Sequence, residues 1–237
     1  MSIPFLRSGL ALGLALAAIL TPSRTPFSLQ AANAAPSRAV GELDLELGIS
    51  ALPGSVEEFV ALGDRLATTP QGAVAVFLVA LDLYATQRVL GISCLTVAVD
   101  ASHVKEGQGP GSYKGKIIDN NRLADIDRVL ANSPATAVAY WKGAAPGNGY
   151  APTKPYAISL YMQKGTRGQL DKYAMATSGR TIEEWKLFVR SEGYRNAAGG
   201  GRPISVAQNA AGLWKVTRFK GVMAPVMKAR SSAADDL

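Results

Sequence analysis

The chain has 237 residues, 48% of them apolar and 18% charged, which suffices for one good core and excludes disorder throughout. One Cys rules out an intrachain disulfide framework and a Cys-based zinc site, and one His rules out a His-rich metal centre. The formal charge of +7 is unevenly spread: residues 40–130 carry 7 basic and 12 acidic side chains, residues 151–230 carry 14 and 4. Such asymmetry suits an anionic partner such as an envelope polymer, a phospholipid surface or nucleic acid; the plainer alternative is that Lys and Arg solubilise the outer face of a sheet.

The N-terminal region reads as a targeting segment rather than as fold. Arg7 precedes the apolar run Gly9 to Leu20, too short to span a bilayer, and Ala32-Asn33-Ala34 offers a small-x-small cleavage pattern. We therefore expect a secretory signal peptide over 1–34, with export to a periplasmic or extracellular location and no stable membrane span after processing. The stretch from Thr21 to Ala31 is long for such a peptide, so an organellar transit peptide is the alternative. Its removal would leave 23 basic against 18 acidic residues.

Residues 35–52 read as a linker. Ser55-Val56-Glu57-Glu58 then has the form of a capping box, in which hydroxyl and carboxylate satisfy each other's free backbone N–H groups. Val56, Phe59, Val60 and Leu66 follow at helical spacing. Thr69-Pro70 starts a second helix whose run Ala73 to Leu81 is apolar on every side, marking it as a core helix. Gly91 is expected to break or bend it, and Ile92 to Val99 is either another helix or a buried strand. Gly107 to Gly115 reads as a loop, and Leu123, Ile126 and Leu130 line one face of a further helix ended by Asn132-Ser133-Pro134.

Beyond this point the period changes from 3.6 to 2. Tyr156, Ile158, Leu160 and Met162 alternate with Ala157, Ser159 and Tyr161; Trp185, Leu187 and Val189 alternate with Lys186, Phe188 and Arg190. Ile204 and Val206 lead through a Gly-containing turn into Leu213 to Lys220. Helices followed by an antiparallel meander predict an α+β fold with helices on one face of the sheet. The expected domain spans 53–224, with a disordered tail over 225–237.

Candidate chemistry is thin. Pro110 to Lys116 lacks the first Gly and the Ser or Thr of a phosphate loop. Cys94 and His103 could pair as nucleophile and base, but Cys94 lies in an apolar stretch where it reads as a small hydrophobe. Glu57-Glu58 and Glu183-Glu184 are adjacent in sequence and diverge, and Asp125 and Asp127 read as solvated. Ala198 to Arg202 combines three Gly with a possible anion hook at Arg202. The strongest candidate is the loop Tyr140 to Tyr156, whose Trp141, Tyr150 and Tyr156 offer flat faces and whose Lys142 and Lys154 offer charge, stiffened by three Pro.

Tyr140-Trp141-Lys142-Gly143-Ala144-Ala145-Pro146, with Asn148, Tyr150, Pro152 and Pro155-Tyr156, resembles the signature S-Y-F-x-G-A-T-P-x-N-x-Y-T-P-x-x-P-Y of a bacterial family of unknown function. The resemblance extends to Lys186 to Ser191, Arg202-Pro203-Ile204 and Gly212 to Val216, covering roughly 53–222. Trp141 and Ala145 depart from the pattern, and the segment 191–203 is longer and richer in Gly. The resemblance implies a domain boundary and a bacterial source, and no mechanism. At the level of fold the order of elements is similar to cone-shaped domains of the nuclear-transport-factor or cystatin type, which host enzymes and binding modules alike.

The sequence thus points to a non-enzymatic, exported binding or accessory domain, with a hydrolase or isomerase using a pocket carboxylate, or a protein-interaction module, as alternatives. Its ligand would meet Tyr140, Trp141, Lys142, Asn148, Tyr150, Tyr156 and Arg202. No catalytic set, metal or cofactor is expected. The partner would be an anionic envelope component or another protein, not a specific nucleic acid.

Overall fold

The computed structural model of the chain describes residues 42–162, 171–174, 181–194 and 201–230, all within the second of two units, Arg38–Leu237. The expected signal or transit peptide, residues 35–41, the Gly-rich residues 198–200 and residues 231–237 lie outside the described residues.

Local signals place the helices. Helix α1 (Val56–Leu66) starts where Ser55 Oγ accepts the Glu58 N–H at 3.2 Å; the Glu58 carboxylate accepts from the Gly54 N–H at 2.7 Å, one residue before the cap itself. Helix α2 (Pro70–Thr86) is capped by Thr69, whose Oγ1 accepts the Gly72 N–H at 3.1 Å. Every residue of α2 from Gly72 to Tyr84 is buried, so its even hydrophobicity makes it the central helix of the core. Each buried Leu, Val or Phe there contributes about 1.5–3 kcal/mol.

The chain turns at Gln87 and not at Gly91, and Ile92 to Ala98 completes helix α3 (Arg88–Ala98), the helical one of the two open alternatives. Gly91 has a different role. A Cβ there would lie 2.1 Å from Cα of Tyr84, so this glycine is where α3 touches the backbone of α2. The Arg88 guanidinium donates to both Asp127 oxygens at 2.7 Å, and Tyr84 Oη donates to the same carboxylate at 2.7 Å. These bonds tie the α2–α3 corner to α4 (Asn120–Asn132) and hold the Asp127 carboxyl below its ordinary range.

The stretch Gly107 to Gly115 is the tip of a small hairpin, β2 (Val104–Glu106) with β3 (Lys116–Ile118), too short to give a strand period. The main antiparallel sheet holds β1 (Glu42–Glu46), β4 (Ala157–Tyr161), β6 (Thr181–Arg190), β7 (Gly201–Gln208) and β8 (Trp214–Arg218) in the order β1-β4-β6-β7-β8, with β5 (Asp171–Ala174) paired on β6. Helices and an antiparallel sheet make the fold α+β, as the change of period predicts.

The expected linker over 35–52 needs correction: β1 lies inside it and pairs along its whole length with β4. Residues 225–230, expected in a disordered tail, are held by the domain. The Met227 N–H donates to the Gly193 carbonyl at 2.8 Å, and the Arg230 N–H donates to that of Pro146 at 2.8 Å.

Register divides the sheet into two faces. Leu160 lies opposite Val189, Leu187 opposite Ile204, and Leu45 opposite Ile158, on the face packed against α2. Tyr161 lies opposite Phe188 and Asp44 opposite Ser159, on the other face, which also carries Lys186 and Arg190. The β8 edge meets the end of α3, where the Asp100 N–H donates to the Val216 carbonyl at 2.8 Å.

Candidate ligand-binding site

The site arises where the sheet divides. Toward its C-terminal end β4 pairs with β6, through Leu160 with Val189 and Tyr161 with Phe188. Toward its start it pairs with the chain after α4: Trp141 bridges Ile158, and the Lys142 N–H donates to the Ala157 carbonyl at 2.8 Å. The two neighbours diverge at Ser159. A cleft of ≈ 380 Å³ opens there, lined by Tyr140 to Gly143, by Ser159, and by Arg190, Ser191 and Glu192 from the end of β6.

Its polar groups come from distant parts of the chain. Lys142 Nζ donates to Asp44 Oδ2, and Ser159 Oγ donates to Asp44 Oδ1, so two of the lining residues hold a carboxylate from β1 that does not itself line the cleft. The bonds from Lys142 and Ser159, with Lys142 and Arg190 as nearby cations, keep the Asp44 carboxyl below its ordinary range. The Arg190 guanidinium carbon stands 4.7 Å from the Tyr161 ring centroid; Tyr161 stacks on Phe188 at 5.2 Å; Lys186 Nζ lies 5.4 Å from the Phe188 centroid. Gly201 lets this row pack tightly, because a Cβ there would lie 2.4 Å from the Tyr161 ring.

Behind the cleft lies one buried acid. Asp82, 4% exposed on the otherwise apolar α2, accepts from Trp141 Nε1 at 3.0 Å. Burial raises its pKa, and the indole bond opposes that rise only in part. Tyr156 packs edge-on against Trp141 at 5.0 Å, and its hydroxyl is pushed up by burial and by Asp82.

Of the seven residues chosen from sequence, Tyr140, Trp141 and Lys142 line the cleft and four do not. Asn148 Oδ1 accepts from the Ala145 N–H at 3.0 Å, while Nδ2 donates to the Gly143 and Ala151 carbonyls at 2.7 and 3.1 Å. Both of its amide donors are thus spent inside the loop. Tyr150, at φ 64°, is buried and donates its hydroxyl to the Met227 carbonyl. Tyr156 supports Trp141 from the core. Arg202 lies opposite Val189, on the inner face; its guanidinium stacks 3.3 Å from the Tyr194 centroid and donates to the Pro225 carbonyl at 3.3 Å. It fastens the C-terminal segment and is not a hook at the cleft.

The other sequence candidates separate in space or in chemistry. Cys94 is fully buried and its thiol is pushed up to about 12, so it stays protonated. His103 bonds through Nε2 to the Thr217 carbonyl at 2.6 Å, which makes Nε2 the protonated nitrogen, and burial lowers its pKa. Glu184 is not solvated: it is 1% exposed and pairs with Arg218 Nε at 3.0 Å. Among the described residues no group of three His, Cys, Asp or Glu could hold a metal ion.

Asp44, Ser159 and Arg190 go unnoticed in the sequence. The alternation Glu42-Leu43-Asp44-Leu45-Glu46 is the signal that could have exposed β1, and with it Asp44. Ser159 and Arg190 carry only the mark of the outward face of their strands.

No curated protein and no solved structure matches the chain, so the expected likeness to nuclear-transport-factor or cystatin domains gains no support there. A family model described as Domain of unknown function (DUF6935) matches residues 51–230. That span takes in α1 to β8 and the pinned residues up to 230, and the chain belongs to this family.

Proposed function

We propose that the chain is an exported, non-catalytic binding module whose ligand enters the cleft beside Ser159. The observation that carries the reading is the divergence of β6 and the Trp141–Lys142 segment along one edge of β4, which leaves an open, mixed-polarity cleft on a rigid frame. Three features support binding without chemistry. The cations at the cleft are engaged with a carboxylate or a ring, the His and Cys are buried elsewhere, and Trp141 is fixed from behind by Asp82 and Tyr156. Export rests on the N-terminal pattern alone, and a mature chain beginning at Ala35 is its expected signature in a mass spectrum.

Ligand-observed magnetic resonance with a library of polar fragments tests the cleft. Hits on the wild-type protein should disappear in Ser159→Tyr, which fills it. Hits unaffected by that change, or turnover of a substrate abolished by one substitution, would contradict the reading.

An enzymatic alternative keeps one observation in its favour, the buried Asp82 with its raised pKa. Asp82 is not among the residues lining the cleft, so this alternative requires Trp141 to swing aside. Loss of a measured turnover in Asp82→Asn, with folding intact, would carry it.

A further inference from the structure

The outer face of the sheet carries a row of cations that continues the cleft. Lys186 and Arg190 project from the same side of β6, about 13 Å apart at four residues' separation. Lys142 stands across the cleft from Arg190. The rings between them, Tyr161 and Phe188, are stacked on each other, with Arg190 near one and Lys186 near the other. Each ring thus has the other ring and a cation beside it. A ligand with flat bases finds no stacking platform here, unlike the aromatic sheets that bind single strands. What the face offers is charge at intervals.

At the cleft the first position in that row is already filled. The Asp44 carboxylate accepts from Lys142 Nζ and Ser159 Oγ, with Arg190 close enough to favour its ionised form. A carboxylate from a ligand would find the same donors. Glu192, two residues past the end of β6, also lines the cleft, so an anion is favoured at Lys142 and Arg190 and not beside Glu192.

We infer that the cleft and the cation row beside it bind an extended, carboxylate-bearing glycan, and that Asp44 is a resident mimic of the ligand's first carboxylate. This rests on the cleft being a binding site, and adds its ligand class and an internal competitor. Carboxylates along a sugar chain suit a guanidinium and ammonium row that has hydroxyls at one end.

The test is a titration at low ionic strength with polygalacturonate, its methyl ester and oligo(dT), using the full mature chain and single variants checked by circular dichroism. Polygalacturonate should bind, its ester should not, and Lys142→Met and Lys186→Met should each weaken binding about two- to fivefold. Asp44→Asn keeps one acceptor oxygen but removes the competing charge, and should tighten binding about two- to fivefold. Asp44→Ser provides a second variant with the same expected direction. Unchanged or weaker binding in both Asp44 variants overturns the mimic. Oligo(dT) binding as tight as polygalacturonate overturns the glycan. If neither polymer binds while polar fragments still occupy the cleft, the ligand class falls and the cleft survives; if the fragments fail too, the binding reading itself falls.

Discussion

The two faces of the sheet are built from alternate residues of the same strands, yet they are different materials. The inner face, with Leu187, Val189, Ile158 and Ile204, merges with α2 into one apolar core. The outer face, with Lys186, Phe188, Arg190, Tyr161 and Ser159, packs rings against cations and spends its polar groups on ion pairs and hydrogen bonds. The inner face supplies stability through burial, and the outer face carries the charge. Adjacent residues on β6 should therefore respond to mutation very differently.

Leu187→Ala should be the most costly change, about 2–5 kcal/mol in urea unfolding, because it empties a site under α2 that is 1% exposed. Next comes Asp82→Leu, at about 1–3 kcal/mol, since it leaves the Trp141 indole N–H buried without its acceptor. Asp82→Asn keeps an acceptor and should behave differently with pH. A raised carboxyl pKa means the folded state holds its proton more tightly than the unfolded state. The wild type therefore loses stability as pH rises from the unfolded value through the folded one, and Asp82→Asn should gain on it as pH rises above about 4. A parallel pH dependence in the two proteins would mean that folding does not raise the Asp82 pKa.

Asn148→Ala removes three hydrogen bonds from an exposed loop and should cost about 1–2 kcal/mol, measured by urea unfolding. Lys186→Ala, one residue from Leu187, should stay within about 0.5 kcal/mol of wild type. Equal losses from Leu187→Ala and Lys186→Ala would erase the distinction between the faces.

The inner half of this division is legible in the sequence because its determinants are local. Ser55, Thr69 and Pro70 cap helices within three residues of themselves, and the shift from period 3.6 to 2 marks the sheet wherever a side faces the core. The cleft is not legible, because its parts meet only by pairing: Asp44 is 98 residues from Lys142 and 115 from Ser159. Arg202 shows the same problem in reverse. Its sequence context of Gly and Pro suggests a surface hook, but the register opposite Val189 turns it to the inner face. The aromatic loop reads in the sequence as a display of open faces, but Tyr150 and Tyr156 are buried in the core and Asn148 spends its amide donors on the loop.

The three Trp residues provide the most direct measurement. Trp141 lies at the cleft, whereas Trp185 and Trp214 pack together at 4.9 Å on the inner face, away from the cation row. Adding polygalacturonate to 15N-labelled protein should shift the Trp141 indole resonance and the amides of Ser159 and Ser191, and leave the Trp185 and Trp214 indoles in place. Shifts confined to Trp185 and Trp214 would contradict the cleft as the ligand's site.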